Sequence, residues 1–283
     1  MQSLTQGRTM ASWTIPRPFV KWAGGKRQLV DLLLKNAPVS FNRYLEPFIG
    51  GGALLFNILP HNAIISDINP ELINAYKVIA KDPEGLLASL RLHRNEEEYF
   101  YQVRGMDISN MSEIERASRF IFLNKTCFNG LYRENSKGKF NVPFGRYKNP
   151  NIDDGDNLRA ISSYLNGSKI EILCQDYKTT AGMAKAGDFV YFDPPYHPIS
   201  QTASFTRYAK GDFAASDQEA LAETFHSLSK KGCHLMLSNS NVPFIRELYK
   251  EFNVIEIEAS RFINCKADKR GKGLYEVLVK NYD

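Results

Sequence analysis

Asp193-Pro194-Pro195-Tyr196 puts a carboxylate, a carbonyl and an aromatic face within four residues. Pro195 has no N–H to compete for the Pro194 carbonyl. The set suits a flat ring bearing an exocyclic amine. Asp193 and the Pro194 carbonyl would accept from the NH2 group, while Tyr196 stacks on the ring. The same residues also read as a plain Asp-Pro turn closing a core strand, and motifs this short recur by chance.

Other stretches carry binding chemistry. In Glu46-Pro47-Phe48-Ile49-Gly50-Gly51-Gly52 the glycines let backbone pass close to a ligand. The spacing is not G-x-G-x-x-G, which disfavours a nicotinamide fingerprint. Asp67 lies 17 residues past Gly50. An acid at the end of a second strand, after a glycine turn, is how such folds hold ribose hydroxyls; a helix cap is its plainer reading. Gly24-Gly25-Lys26 is only superficially a phosphate loop, because Arg27 stands where that motif needs Ser or Thr. A helix start with free N–H groups and a lysine still suits an anion, carboxylate as well as phosphate.

These groups need elements to hold them. Phe189, Val190, Tyr191 and Phe192 form an apolar run typical of a buried strand. The prolines end it, so Asp193 belongs at the carboxyl edge of a sheet, where open α/β sheets bind ligands. Further strands are expected at 43–46, 63–67, 169–174, 234–239, 254–263 and 275–279. Helices are expected at 28–36, from Asn69-Pro70-Glu71 onward, and at 156–165 and 217–230. The last two strands read as antiparallel, joined by a loop carrying Lys266, Lys269, Arg270 and Lys272. His197 to Asp212 reads as a loop that orders on binding.

From 83 to 119 the pattern is helical and breaks the alternation, as an inserted subdomain would. A turn at Asn135-Ser136-Lys137-Gly138, between aromatic-rich runs, predicts a β-hairpin. Around it stand Lys125, Arg133, Lys137, Lys139, Arg146 and Lys148 against Glu134 alone. Such a ribbon fits a DNA major groove; the competing reading is a solvated hairpin packed on helices.

The chain has 283 residues, enough for one large domain or a domain with an insert, and 43% of them are hydrophobic. The first 16 residues or so are polar and without period, and read as a disordered leader. Nothing approaches a membrane span or a secretory h-region. The cysteines, Cys127, Cys174, Cys233 and Cys265, form no C-x-x-C pair, and the histidines are scattered. Neither a metal site nor a disulfide framework is expected, and a reduced cytoplasmic protein is. The net charge of +5 permits a polyanionic partner without demanding one.

Lys21-Trp22-Ala23-Gly24-Gly25-Lys26, Glu46-Pro47-Phe48-x-Gly50-Gly51-Gly52 and Asp193-Pro194-Pro195-Tyr196 occur in that order. Phe128-Asn129-Gly130-Leu131-x-Arg133 and Asn141-Val142-Pro143-Phe144-Gly145-Arg146-Tyr147 lie between them. Together they resemble the Dam family (alpha group, D12 class) of DNA adenine-N6 methyltransferases, and within it the GATC methylases, including those of restriction-modification systems. The resemblance runs from about Pro18 to the C-terminus. It implies a Rossmann-like sheet, mostly parallel with a C-terminal antiparallel strand, S-adenosylmethionine as cofactor, and double-stranded DNA, GATC, as partner. It further implies base flipping, direct methyl transfer, no metal, and a monomer or weak dimer. The expected organisation is a leader at 1–16, a catalytic domain at 17–80 and 165–283, and a target-recognition insert at 81–164 with a hairpin at about 128–148.

By resemblance, Trp22, Ala23, Gly24, Gly25 and Lys26 border the cofactor. Glu46, Pro47, Phe48, Gly50, Gly51 and Gly52 pass beneath it, and Asp67 with Ile68 holds its ribose. Asp176 and Tyr177 fall where the family binds the cofactor's adenine. Asp193 serves both cofactor and target base, alongside Pro194, Pro195 and Tyr196. Lys21, Leu131, Arg133 and Pro143 fall at base contacts, Asn129 at the gap left by a flipped adenine, and Arg146 and Tyr147 near phosphates. Phe128 departs from the Tyr of the bacterial housekeeping enzymes and loses a hydroxyl. Cytosine-N4 methylation, a non-catalytic DNA-binding protein with a vestigial cofactor pocket, and a nucleotide-dependent binding module remain as alternatives.

Overall fold

A computed structural model describes residues 14–22, 26, 29–198, 213–260 and 272–283. Its centre is a seven-stranded sheet in the order β3-β2-β1-β4-β5-β7-β6. The strands are β1 (Tyr44–Glu46), β2 (Asn62–Asp67), β3 (Lys169–Cys174), β4 (Phe189–Phe192), β5 (His234–Ser240), β6 (Asn253–Ser260) and β7 (Lys272–Lys280). The first five pair in parallel, and β7 runs antiparallel to both β5 and β6. This is the Rossmann-like methyltransferase sheet that the resemblance implies.

The sheet is covered on both faces, which is why its inner strands are apolar without interruption. Along β4, Phe189 and Tyr191 face one core cluster while Val190 and Phe192 face another. The first cluster is closed by α3 (Pro70–Lys81), α4 (Pro83–Leu90), α6 (Glu113–Thr126) and α7 (Gly155–Gly167). The second is closed by α8 (Tyr177–Gly182), α9 (Ala215–Lys230) and α10 (Pro243–Leu248). The short helices α1 (Val30–Asn36) and α2 (Leu55–Ile58) and the helix α5 (Glu97–Gly105) complete the set among the described residues.

Local signals explain where the helices start. The Asn69 side chain accepts from the Leu72 N–H at 3.0 Å and Pro70 occupies the first helical turn of α3. Ser112 and Glu115 form a reciprocal capping box on α6. Arg43 and Asp188 tie together the starts of β1 and β4 with an ion pair of 2.6 Å, and Asp188 is only 1% exposed.

The helical stretch from 83 onward lies between β2 and β3, strands that pair directly over their whole length. Its helices share the main core through Leu86, Leu87, Phe120 and Ile121 rather than building a wholly separate one. A smaller third cluster of Phe100, Val103, Phe122, Leu123, Phe140 and Val142 sits under the segment after α6.

That segment does not form a regular hairpin. Two isolated antiparallel bridges, Cys127–Phe144 and Glu134–Phe140, stand where a ribbon was expected. The turn itself is as predicted: Asn135 N–H donates to the Lys139 carbonyl at 2.9 Å, and Gly138 takes a φ of +70°. The ladder fails because Pro143 has no N–H and because Phe140 and Phe144 pack down onto the helices. Lys125 is half-buried, and burial lowers its pKa from the ordinary lysine value.

Among the described residues, no helix is long and apolar enough to cross a membrane. The basic loop before β7, most of the His197–Asp212 segment, Ala23, Gly24, Gly25 and nearly all of the expected leader fall outside those residues.

Candidate active site

β1 and β4 are neighbours, and the sheet's strand order reverses between them. At such a switch point the loops after the two strands part and leave a crevice. The turn at 47–52 follows β1, and Asp193-Pro194-Pro195-Tyr196 follows β4. Thus the two main sequence motifs meet at one edge of the sheet.

Lys26 reaches the same place. Its Nζ lies 2.7 Å from Oδ1 of Asp193 and 4.7 Å from the centre of the Tyr196 ring. Its side chain is 4% exposed, against 21% for Asp193. The anion met by this lysine is therefore the protein's own carboxylate. Burial pushes the Asp193 carboxyl above its ordinary range, the Lys26 ammonium opposes that rise, and Glu276 adds to it.

A polar lattice holds the turn after β4 from below. Gln218 on α9 donates to the Pro195 carbonyl at 2.9 Å and accepts from Asn239 of β5 at 2.9 Å. Asn239 in turn accepts from the His197 N–H at 3.2 Å. Ser240 donates to the His197 carbonyl at 2.8 Å. Buried amides and hydroxyls at the ends of apolar elements are the only sequence hint to this support.

The glycine turn has a reason of its own. Gly50 and Gly52 have φ values of +49° and +72°. A Cβ on Gly50 would lie 2.6 Å from the Trp22 ring, and one on Gly52 would lie 2.6 Å from the Tyr76 hydroxyl. The protein's own aromatics thus require these glycines, apart from any ligand. Gly51 has no such φ, and a Cβ there would meet the Val20 carbonyl at 3.4 Å. Glu46 is 3% exposed and accepts from the Tyr44 hydroxyl at 2.8 Å. Burial raises its carboxyl far above the usual range. It lies beneath the crevice, and the Pro47 carbonyl accepts from the Ser66 hydroxyl.

Along the edge toward β3, Asp67 ends β2. Its oxygens accept from the Gly50 N–H at 3.2 Å and the Asn69 N–H at 3.0 Å. Ile68 beside it is 74% exposed. Phe48 stacks on Tyr177 with ring centres 5.1 Å apart, and Asp176 caps α8 through the Lys178 N–H. An oriented acid at a strand end, an exposed aliphatic side chain and an aromatic wall fit a nucleoside with a polar sugar and a flat base. These donor types suit S-adenosylmethionine.

Some of the expected DNA-contacting residues are brought together around Lys21. Asn124, fully buried on α6, accepts from the Lys21 N–H at 2.8 Å and donates to the Lys21 carbonyl at 2.7 Å. It also donates to the Gly130 carbonyl at 3.1 Å. Lys21 Nζ sits 4.5 Å from the centre of the Tyr147 ring. Asn129 is exposed with a φ of +56°, and the Phe128 N–H beside it donates to the Pro143 carbonyl. Leu131 is half-buried, and Tyr132 between Leu131 and Arg133 stacks on Trp22 at 5.4 Å. Arg133 stands apart at the second bridge, its Nε donating to Asn141 at 2.7 Å. Arg146, with a φ of +53°, pairs with Glu97 at 3.4 Å.

Glu276, Asn124, Gln218 and Asn239 escaped the sequence reading. None lies in a motif, and each acts on a segment far away in the chain.

The mostly parallel seven-stranded sheet is consistent with a Rossmann-like methyltransferase fold, and comparison with known proteins shows the family. Residues 22–263 match the family described as D12 class N6 adenine-specific DNA methyltransferase, and the chain belongs to that family. It is 47% identical over 272 residues to the Type II methyltransferase M1.LlaDCHI of Lactococcus lactis subsp. cremoris, covering 94% of this chain and 95% of that protein. It is 46% identical over 288 residues to the Type II methyltransferase M.MjaIII of Methanocaldococcus jannaschii, covering 94% and 99%. Against the DNA adenine methylase of Haemophilus influenzae it is 36% identical over 262 residues, covering 90% and 91%. Membership implies S-adenosylmethionine as methyl donor and DNA as substrate.

Proposed function

We propose that this chain methylates N6 of adenine in double-stranded GATC after the base has swung out of the duplex. The observation that carries the reading is the meeting of Asp193, Lys26 and Tyr196 beside the glycine turn. The N6 amine is a weak nucleophile because its lone pair is delocalised into the ring. Asp193 and the Pro194 carbonyl would accept its two N–H bonds, localise the lone pair and aim it. S-adenosylmethionine, when bound, supplies a methyl group on a cationic sulfur that leaves readily. The proton then shed by N6 has an acceptor in the Asp193 carboxylate. Inside a duplex N6 cannot reach this crevice, so the base must be extruded, and Tyr196 replaces its lost stacking.

In this reading Trp22, the turn at 46–52, Asp67, Ile68, Asp176 and Tyr177 hold the methyl donor. Lys21, Asn129, Leu131, Arg133, Pro143, Arg146 and Tyr147 meet DNA. Residues 81–164 act as the target-recognition insert within a catalytic domain of 17–80 and 165–283. Likeness to Type II methyltransferases favours a restriction-modification setting, and the expected place of action is the cytoplasm.

DNA from an expressing host should resist enzymes blocked by adenine methylation at GATC, and its nucleosides should contain N6-methyladenine. Asp193→Ala should abolish both. Near wild-type methylation by that variant, or methylcytosine in place of methyladenine, would sink the reading.

A further inference from the structure

Two contacts of Tyr196 bear on its orientation. Its hydroxyl donates to Oε2 of Glu276 at 3.0 Å, and its ring faces the Lys26 ammonium at 4.7 Å. Glu276 lies on β7, the antiparallel strand, directly opposite Ser240 of β5. Ser240 is fully buried and holds the His197 carbonyl. Consequently β7 reaches the turn after β4 through the end of β5, although 80 residues separate Glu276 from Tyr196.

We infer that Glu276 is a positioning residue for methyl transfer, fixing Tyr196 by its hydroxyl so that the ring stays in register with Asp193. The inference rests on the reading that Tyr196 receives the target base. A tyrosine pinned only by its backbone can rotate about its Cα–Cβ bond and swing its face away. A hydroxyl anchored to a carboxylate cannot do so without breaking a charge-assisted hydrogen bond. The same anchor keeps the ring against Lys26, and hence keeps the ammonium beside Asp193. Placement of the base is what this chemistry requires, so a small loss of register appears in turnover rather than in donor binding.

The experiment compares Glu276→Ala, Glu276→Gln, Tyr196→Phe and the double variant Tyr196→Phe/Glu276→Ala, with Asp193→Ala assayed alongside. Tyr196→Phe removes only a hydroxyl and leaves the ring. It should lower kcat about tenfold or more, with the KM for S-adenosylmethionine nearly unchanged. Glu276→Ala should do the same. Glu276→Gln keeps an acceptor and should restore most of the rate. Assayed above the acid limb, where Asp193 is ionised whatever the charge of Glu276, the Glu276→Ala change placed on Tyr196→Phe should add almost nothing, because the link is already broken.

Additive losses in the double variant, full activity in Tyr196→Phe, or failure of glutamine to rescue a stably folded protein would each overturn the inference. If Glu276→Ala does not fold, the contrast between Glu276→Gln and Tyr196→Phe still decides. If Asp193→Ala remains active, the reading of the site fails whatever the Glu276 series does. If it is dead and the series is additive, only the positioning role falls.

Discussion

The Lys26 ammonium lies 2.7 Å from Oδ1 of Asp193, and only 4% of the lysine side chain is exposed. An ion pair this sheltered is screened little by solvent, so the ammonium favours the carboxylate form of Asp193. Asp193 can accept from an amine only as the carboxylate. Burial raises its pKa, Lys26 lowers it, and nearby Glu276 raises it again.

The sign of the resulting pH dependence follows. Activity should be lost as pH falls through the raised pKa of Asp193. Lys26→Met removes the one opposing charge among those influences, so the acid limb should move to higher pH, by about one unit or more. A kcat profile between pH 5 and 9, at saturating methyl donor, checks this. An unmoved acid limb would mean that Lys26 does not govern Asp193.

Much of this site could be read from the sequence because its parts are local. The run Phe189–Phe192 and the two prolines after it place Asp193 at a strand end without tertiary information, and β4 is found there. Asn69-Pro70 similarly marks the start of α3. What stayed hidden depends on long-range pairing. Glu276 reads as one more polar residue of the C-terminal strand until β7 is seen beside β5. Asn124 sits in an apolar helix face where a polar side chain carries no address. The helix α10 has six residues, too few for a helical period to stand out. The hairpin is only partly regular, with two bridges and the bonds around its turn, because its aromatics suit strand pairing and helix packing equally.

Arg43 and Asp188 make a second close pair, at the opposite ends of β1 and β4. Arg43 Nε donates to both Asp188 oxygens, at 3.3 and 3.2 Å, and Nη2 donates to Oδ2 at 2.6 Å. Asp188 is 1% exposed and also accepts from the Lys185 N–H. Removing the arginine leaves a buried carboxylate with too few partners. Arg43→Ala should therefore lose about 3 kcal/mol of stability. Lysine should recover only part of it, because one ammonium cannot reproduce the forked contact. Urea unfolding midpoints at constant slope measure the loss.

Asn124 joins the two halves of the candidate site. One amide holds both backbone groups of Lys21, 103 residues earlier in the chain, together with the Gly130 carbonyl. Gly130 can sit there only without a side chain, since a Cβ would lie 2.4 Å from the Lys21 side chain. Lys21 leads directly to Trp22, and Gly130 lies between Asn129 and Leu131, so the amide ties the segment proposed to face DNA to the one proposed to border the cofactor. Asn124→Ala leaves three backbone groups short of a partner and should cost about 1–3 kcal/mol of stability. It should also raise the KM for DNA more than that for S-adenosylmethionine. Asn124→Asp keeps the acceptor for the Lys21 N–H but loses both donated bonds, so it should behave like the alanine variant. Steady-state titrations with each substrate, alongside urea unfolding, separate the two effects. If stability falls while the KM for DNA stays at its wild-type value, Asn124 supports the fold without setting the DNA-facing segment.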